Sequence, residues 1–205
     1  MKIAIISDIH EDVLNLQLAL QKIDKLNCDE IICLGDISGY SAKHHDYLEL
    51  RNARGSLERI RNHCKLVIAG NHDLRAARRL PELADFNYPA NWYEMDYHDR
   101  QYMSSDKVWL YEHEELNPLY TRKNIEFLKS LPEFEVRQFD NHSIMFSHFV
   151  YPNLTGSGTD MYYDAEEFEE HFEFMDQNEA TIGIVGHRHH PGLKVVTADD
   201  IKTLK

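Results

Sequence analysis

The stretch KLVIAGNHD, residues 65–73, joins a short apolar run directly to a cluster of polar side chains. The run at residues 65–69 has the composition of a buried β-strand, and the glycine that follows breaks it into a loop. This loop presents an amide oxygen, an imidazole and a carboxylate, from Asn71, His72 and Asp73. One such cluster is usually a helix cap or a hydrogen-bonded loop, but the same construction follows four other apolar runs of this chain.

Apolar strands alternate with helical segments in the first third of the chain. Residues 3–6 and 30–34 are short apolar runs like the one quoted above. Between these two runs, Asp12 can cap a helix that has one apolar face. Residues 46–62 predict a second helical region, interrupted near Gly55. This alternation predicts a parallel sheet wound by crossover helices.

The second half of the chain has a different pattern. Residues 134–139 alternate between apolar and polar, and a turn leads them into a partner strand at 143–146. An acidic helix then precedes another buried strand at 181–185. Residues 194–197 and 201–204 predict a final hairpin.

Residues 74–131 form an aromatic-rich insertion that we predict to be mostly helical. Nine of the 22 aromatic residues lie between Phe86 and Tyr120, and Thr121 can cap a helix that follows. We interpret this aromatic cluster as the packing of the insertion rather than as a cage for a ligand. A lid over the site, formed by the insertion, is the less favoured alternative. Because no repeat or linker divides the chain, we predict a single domain over residues 1–205.

The composition excludes several classes of protein. The net charge is −13, and residues 138–187 contain ten acidic residues but no lysine or arginine. Such a run predicts a solvated helix face and argues against long nucleic acid as a partner. No apolar run approaches the ~20 residues of a membrane span, and Asp8 ends the N-terminal run too early for a signal peptide. Three cysteines without metal-type spacing favour a reduced, cytoplasmic protein; the oligomeric state is not predicted.

Potential metal ligands follow five apolar strands. They are Asp8 and His10, Asp36, Asn71 and His72, His148, and finally His187 and His189. The carboxyl ends of strands in a wound sheet share one rim, so these side chains are expected to converge. Leaving His72 aside, three oxygen and four imidazole donors without a thiolate suit Mn, Fe or Zn. Seven ligands are too many for one tetrahedral ion and suit a pair of ions.

Taken together, these motifs resemble the signature of calcineurin-like metallophosphoesterases, and are closest to the small bacterial and archaeal phosphodiesterase branch. The resemblance implies a four-layer α/β/β/α sandwich of two packed sheets flanked by helices. It also implies two divalent ions, most often Mn, with Fe or Zn as alternatives. One ion would be held by Asp8, His10 and His189. The other would be held by Asn71, His148 and His187. Asp36 would bridge the two ions, and His72 would be the catalytic residue that faces the substrate.

The predicted function is hydrolysis of a small phosphodiester or phosphomonoester by attack of a metal-bridging hydroxide. A nucleotide or dinucleoside polyphosphate hydrolase with the same site is an alternative. A metal-binding scaffold without activity is a further alternative, although such relatives typically lose the motif residues that are present here.

Two motifs depart from the wider superfamily. The segment that begins Gly35-Asp36 lacks the Asp-Arg-Gly ending of phosphoprotein phosphatases, and with it the acid that partners the catalytic histidine there. Phe149 follows His148 where relatives usually have glycine, so we expect a narrower pocket. The sequence also ends soon after His189, where relatives usually continue into a further strand, so either the second sheet is short or the sequence is truncated there.

Several other residues have two interpretations. Arg75 and Arg188 adjoin motif residues and either contact phosphate or face solvent. Asp73 either orients His72 or, as we favour, caps the following helix. The remaining histidines are expected at the surface: His44, His45, His63, His98, His113, His142, His171 and His190, the last adjoining the site.

Overall fold

In the computed structural model, which describes residues 1–204, three parallel strands form the first sheet. They are β1 (Ile3–Ile6), β2 (Glu30–Cys33) and β3 (Leu66–Val67), with β2 in the centre. The parallel sheet predicted from the alternation of strands and helices is confirmed.

The second sheet contains both antiparallel and parallel strands. In it, β4 (Phe134–Phe139) pairs antiparallel with β5 (His142–Ser147), and β6 (Ile182–Ile184) lies parallel to β5. A separate hairpin follows, formed by β7 (Leu193–Val196) and β8 (Ile201–Leu204). The strand pair and the final hairpin therefore occur where the sequence predicts them.

Within residues 1–204, six α-helices accompany the strands. They are α1 (Val13–Lys25), α2 (Ala53–His63), α3 (Asn71–Ala77), α4 (Tyr97–Ser104), α5 (Arg122–Lys129) and α6 (Glu169–Gln177). Asp12 caps α1 as predicted, since its carboxylate accepts a hydrogen bond from the Asn15 amide at 2.9 Å. The helical region predicted at 46–62 is interrupted just before Gly55, between a 3₁₀ turn at Leu48–Leu50 and the start of α2. Gly55 itself lies in the first turn of α2, and its amide donates to the capping Asn52 side chain at 2.8 Å. None of the helices among residues 1–204 is long and apolar enough to cross a membrane.

The two sheets pack face to face, and helices cover their outer faces. Alternate residues of β2 point to opposite sides: Cys33 packs among α1, α2 and α5, whereas Ile32 packs with Phe146 of β5 between the sheets. The other face of the second sheet buries Met145 against Met175 of α6. This arrangement of helix, sheet, sheet and helix confirms the predicted four layers.

The prediction that residues 74–131 are mostly helical is wrong. Only the end of α3, a 3₁₀ turn at Trp92–Glu94, α4 and α5 are helical there. The aromatic residues pack on one another instead; Trp92 is buried and contacts the rings of Phe86 and Tyr88. Residues 107–116 form an irregular segment. Isolated bridges pair this segment with loops that lie far away in sequence.

Candidate metal centre

All eight predicted site residues lie together at the rim formed by the carboxyl ends of the strands. Asp8 and His10 follow β1, Asp36 follows β2, and His148 follows β5 directly. Three overlapping groups have ligand atoms within 4.8 Å of one another: Asp8, His10 and His189; His10, Asp36 and His72; and Asp36, His148 and His187. Side chains separated by up to 181 positions in sequence therefore share one pocket.

In the first group, three potential ligand atoms lie close together. His189 Nε2 lies 3.1 Å from Asp8 Oδ1 and 3.1 Å from His10 Nε2. The other ring nitrogen of His10, Nδ1, lies 3.0 Å from the Gly39 carbonyl, to which it donates when it is the protonated nitrogen. The lone pair of Nε2 then points into the pocket, as metal-binding imidazoles require.

The second group has the same construction. His148 Nε2 lies 3.0 Å from Asp36 Oδ2 and 3.2 Å from His187 Nδ1, and His148 Nδ1 lies 2.7 Å from the Leu34 carbonyl. The Asn71 side-chain oxygen lies 3.2 Å from each of Asp36 Oδ2, His148 Nε2 and His187 Nδ1. Either the amide is turned so that its nitrogen faces these atoms, or a cation lies among them. The carboxylate and imidazole donors around it favour a cation, so these residues fit a divalent metal.

The backbone is strained where it presents these ligands. Asp8, His10, Asp36, His187 and His189 all have positive φ, from 46° to 70°. Side chains other than glycine seldom adopt this region, and such strain concentrates at functional sites.

Close backbone contact also shapes the rim. A Cβ atom at Gly70 would collide with the carboxylate and the amide of Asp36. Only glycine therefore lets the end of β3 lie this close to Asp36.

Burial and neighbouring charges shift the pKa values of the site. Burial alone would raise the pKa of Asp8, but hydrogen bonding and the charge of His148 lower it to about 2. Burial lowers the pKa of His10 and of His187 to about 3. Burial alone would lower the pKa of His148, but the Asp36 carboxylate outweighs burial and raises the pKa of His148 to about 9. The site thus keeps its carboxylates ionised and holds a positive charge between them, which is the position that a metal cation would take.

His72 lies beside the metal-ligand groups rather than apart from them. Its Nε2 is 3.8 Å from Asp36 Oδ2, and its Nδ1 contacts Oε1 of Glu115. Burial lowers the pKa of His72, but the charges of Asp36 and Glu115 outweigh it and raise the pKa above its usual value. Sequence reasoning missed Glu115, because no strand or motif marks its position in an irregular segment.

Asp73 does not contact His72. Its carboxylate accepts hydrogen bonds from the amides of Ile37 at 3.1 Å, Ser38 at 3.0 Å and Gly70 at 3.3 Å. The favoured interpretation as a cap of α3 is confirmed, and the same carboxylate also holds the loop after Asp36.

Two histidines contradict the prediction of a surface position. His171 is buried in α6, and its Nδ1 accepts a hydrogen bond from the Tyr151 amide at 3.0 Å. His45 is half-buried, with its ring 4.9 Å from that of His10. Both belong to segments that appear polar in sequence but lie against loops from distant parts of the chain.

The two arginines have different surroundings. Arg75 forms an ion pair with Glu115, Nη1 to Oε2 at 2.7 Å, and is not free to bind phosphate. The Arg188 guanidinium contacts the Met161 sulfur and lies 5.1 Å from the Tyr163 ring centroid, neither of which carries a negative charge. Arg188 is therefore the better candidate for a phosphate contact.

Two of the cavities that open beside the centre include Arg188 in their lining. One of about 310 Å³ adjoins Asp8, His189 and Arg188, and its wall includes Phe149, Tyr162 and Phe168. The ring centroid of Phe149 is 4.7 Å from that of His187, so it does occupy space next to the ligands, as expected from its size. The other cavity, of about 640 Å³, is lined by both His72 and His189 and also by Trp109.

Comparisons with known proteins agree with this geometry. The calcineurin-like phosphoesterase superfamily domain matches residues 1–204. An uncharacterized protein of Methanocaldococcus jannaschii is 28% identical over 146 residues, which cover 71% of this chain and 48% of that protein. This chain thus spans about half the length of that curated relative.

Two solved structures share the fold. A metallophosphoesterase from Sphaerobacter thermophilus aligns with a TM-score of 0.55 and 23% identity, covering 92% of this chain and 60% of that one. A hypothetical protein from Pyrococcus horikoshii aligns with a TM-score of 0.57 and 16% identity, covering 96% of this chain and 73% of that one.

Proposed function

This chain belongs to the calcineurin-like phosphoesterase superfamily, and from that premise we propose that it hydrolyses small phosphoric esters with a pair of divalent metal ions. The observation that carries the proposal is the convergence of carboxylate, amide and imidazole side chains at the rim. The Asn71 oxygen, His148 Nε2 and His187 Nδ1 lie about one hydrogen-bond length apart around Asp36. Donors of these types at this spacing can hold a divalent cation.

The ligand groups suggest how two ions would be held. Asp8, His10 and His189 form one group, Asn71, His148 and His187 form the other, and Asp36 lies where it can serve both. Oxygen and imidazole donors without thiolate support Mn, with Fe or Zn as alternatives.

The proposed chemistry divides between the ions and the side chains. When bound, such a pair of ions supplies a nucleophilic water at neutral pH and neutralises the phosphoryl oxygens. His72, whose pKa is raised by the Asp36 and Glu115 carboxylates, is positioned to stabilise the phosphoryl group or to protonate the leaving oxygen. Arg188 would bind a non-bridging phosphoryl oxygen.

The cavities support a small ester as substrate, either a diester or a monoester. The cavity of about 310 Å³ would accept the group attached to the phosphate. Its aromatic wall and Arg188 also favour a second candidate, hydrolysis of a nucleotide or dinucleoside polyphosphate, because a base could stack there. The acidic segment at residues 138–187 supports the proposal that long nucleic acid is not bound.

The test is metal-stimulated hydrolysis of an aryl phosphodiester by protein first stripped with a chelator. We expect turnover on adding Mn, Fe or Zn, and loss of both metal binding and turnover in Asp36→Asn. Asp24→Asn, an exposed position on α1, is the matched control and should behave as the wild type. If no phosphodiester, phosphomonoester or nucleotide is hydrolysed with any of these metals, the chain is a scaffold and the proposal fails.

A further inference from the structure

Residues 107–116, which we name the strap, cross the rim between two loops of the metal centre. At one end the Trp109 amide donates to the Ser157 carbonyl at 3.0 Å, and Val108 bridges to Gly158. At the other end the Leu116 amide donates to the Tyr40 carbonyl at 3.0 Å, next to a bridge between Ser41 and Glu115. Both ends are thus fixed to loops that carry or flank site residues.

Glu115 reaches from the strap to His72. Its side chain is only 3% exposed, and Oε1 contacts His72 Nδ1 while Oε2 accepts from Arg75 Nη1 at 2.7 Å. Among the described residues, neither Oε1 nor Nδ1 has another hydrogen-bonding partner. Each of these buried atoms therefore depends on the other, since a buried polar atom without a hydrogen-bonding partner destabilises the folded chain.

The His72 ring is restrained on two further sides. The Tyr111 ring of the strap lies 4.6 Å from it, centroid to centroid. On another side, a Cβ atom at Gly39 would collide with the His72 ring, so the backbone there is in close contact. Tyr111 also contacts Asn71, its hydroxyl lying 2.5 Å from the amide nitrogen. The strap therefore contacts the predicted catalytic residue and one predicted ligand together.

We propose that Glu115 is the positioning residue of His72. Its carboxylate accepts a hydrogen bond from the Nδ1–H group of His72 and thereby fixes the ring in one orientation and tautomer. Nε2 is left directed toward Asp36 and the metal side of the pocket. The acid comes from a segment 43 positions after His72, whereas the motif around Asp36 contains none that could do this. This inference rests on the proposed hydrolysis and assigns a role to the aromatic-rich insertion.

Kinetics of matched variants test the proposal. Glu115→Gln keeps the size of the side chain, but its single oxygen can accept from only one of His72 and Arg75. We expect kcat for an aryl phosphodiester to fall about 10- to 100-fold, the usual effect of losing a partner that orients a functional imidazole, with KM changed less than about threefold. The control is Glu114→Gln, on the same strap, whose carboxylate is 42% exposed and pairs with Lys43 at the surface. It should retain wild-type kcat.

A double variant separates positioning from general damage. If Glu115 acts through His72, adding Glu115→Gln to His72→Ala should lower kcat less than about twofold further. Two results would overturn the proposal. One is an equal kcat for Glu115→Gln, Glu114→Gln and the wild type. The other is a full, multiplicative loss when Glu115→Gln is added to His72→Ala.

A measurement without turnover keeps this inference distinct from the proposed function. In metal-free protein, ¹⁵N NMR of the His72 ring should show the proton on Nδ1, and Glu115→Ala should shift the ring toward the Nε2-protonated tautomer. Circular dichroism and metal titration of the same samples verify that they are folded and bind metal. An unchanged tautomer in folded Glu115→Ala refutes the positioning role even if the protein hydrolyses nothing. A changed tautomer in a protein without turnover supports the contact but refutes the hydrolase.

Discussion

His171 should make the fold sensitive to acid at a place remote from the metal centre. It lies in α6 with 4% of its surface exposed, and burial lowers its pKa from 6.5 to about 4. Between pH 4 and pH 6.5, His171 therefore binds a proton in the unfolded chain but not in the folded chain. Stability contributed by the neutral ring is complete above pH 6.5 and is lost as the pH falls toward 4.

The size of the effect follows from the two pKa values. Because one pKa unit corresponds to about 1.4 kcal/mol, the loss approaches about 3 kcal/mol below pH 4 and is about 2 kcal/mol at pH 5. In His171→Gln the side-chain oxygen can accept the hydrogen bond from the Tyr151 amide without titrating. The difference in unfolding free energy between wild type and variant should therefore shift by about 2 kcal/mol between pH 7.5 and pH 5.

Urea unfolding of the wild type and of His171→Gln, with a chelator present, measures this difference in unfolding free energy. The contributions of the other titrating groups cancel, because both proteins contain the same groups. His142→Gln, at an exposed position on β5, measures the effect of losing a surface imidazole. A change below about 0.5 kcal/mol between the two pH values would contradict the reasoning. So would an NMR titration that places the folded His171 pKa above 6.

Three further predictions concern the rim. His72→Ala should retain both metal ions in calorimetric titration but lose about 10²- to 10⁴-fold in kcat, the usual contribution of a general acid; wild-type kcat would show that the assigned role is wrong. Gly70→Ala should abolish the rise in melting temperature on adding Mn, since its methyl group displaces Asp36, and an undiminished rise would contradict that contact. Arg188→Met should reduce kcat/KM about 10- to 100-fold, mainly through KM, as expected for a lost charge-assisted contact to phosphate; an unchanged KM would place Arg188 outside the substrate site.

The parallel sheet and the position of the rim could be predicted because they depend on local periodicity, whereas the four layers were implied by the resemblance to a known family. Alternate residues of β2 face opposite sides, so a run of four apolar residues already indicates a strand buried on both faces. Polar residues that directly follow such runs must then appear at one edge of the sheet. His148 and Asp36 follow strands of different sheets, and they meet at 3.0 Å because the two sheets pack with these strand ends at the same edge, although the residues are 112 positions apart in sequence.

Contacts made by irregular segments could not be predicted in this way. Glu115 lies in no repeating pattern, and its approach to His72 depends on hydrogen bonds from the strap to Tyr40 and Ser157. The expectation of helices in residues 74–131 failed for the same reason, since long-range pairing replaced local hydrogen bonds there. His171 has charged neighbours on its helix, and only the packing of α6 on the second sheet reveals its burial.

The strain and the charges of the rim together suggest how metal binding relates to folding. Left-handed backbone costs about 1–2 kcal/mol at each residue other than glycine, and five predicted ligands adopt it. The His10 and His189 imidazoles also lie close together, with their Nε2 atoms 3.1 Å apart, and a shared cation would stabilise this arrangement. Hydrogen bonds from neighbouring loops offset part of the strain: the Asp8 amide donates to the Gly35 carbonyl at 3.1 Å, and the Asp8 carboxylate accepts from the His187 amide at 3.1 Å. Since these bonds offset only part of the strain, we expect part of the free energy of metal binding to stabilise the rim, so that metal affinity and local stability change together.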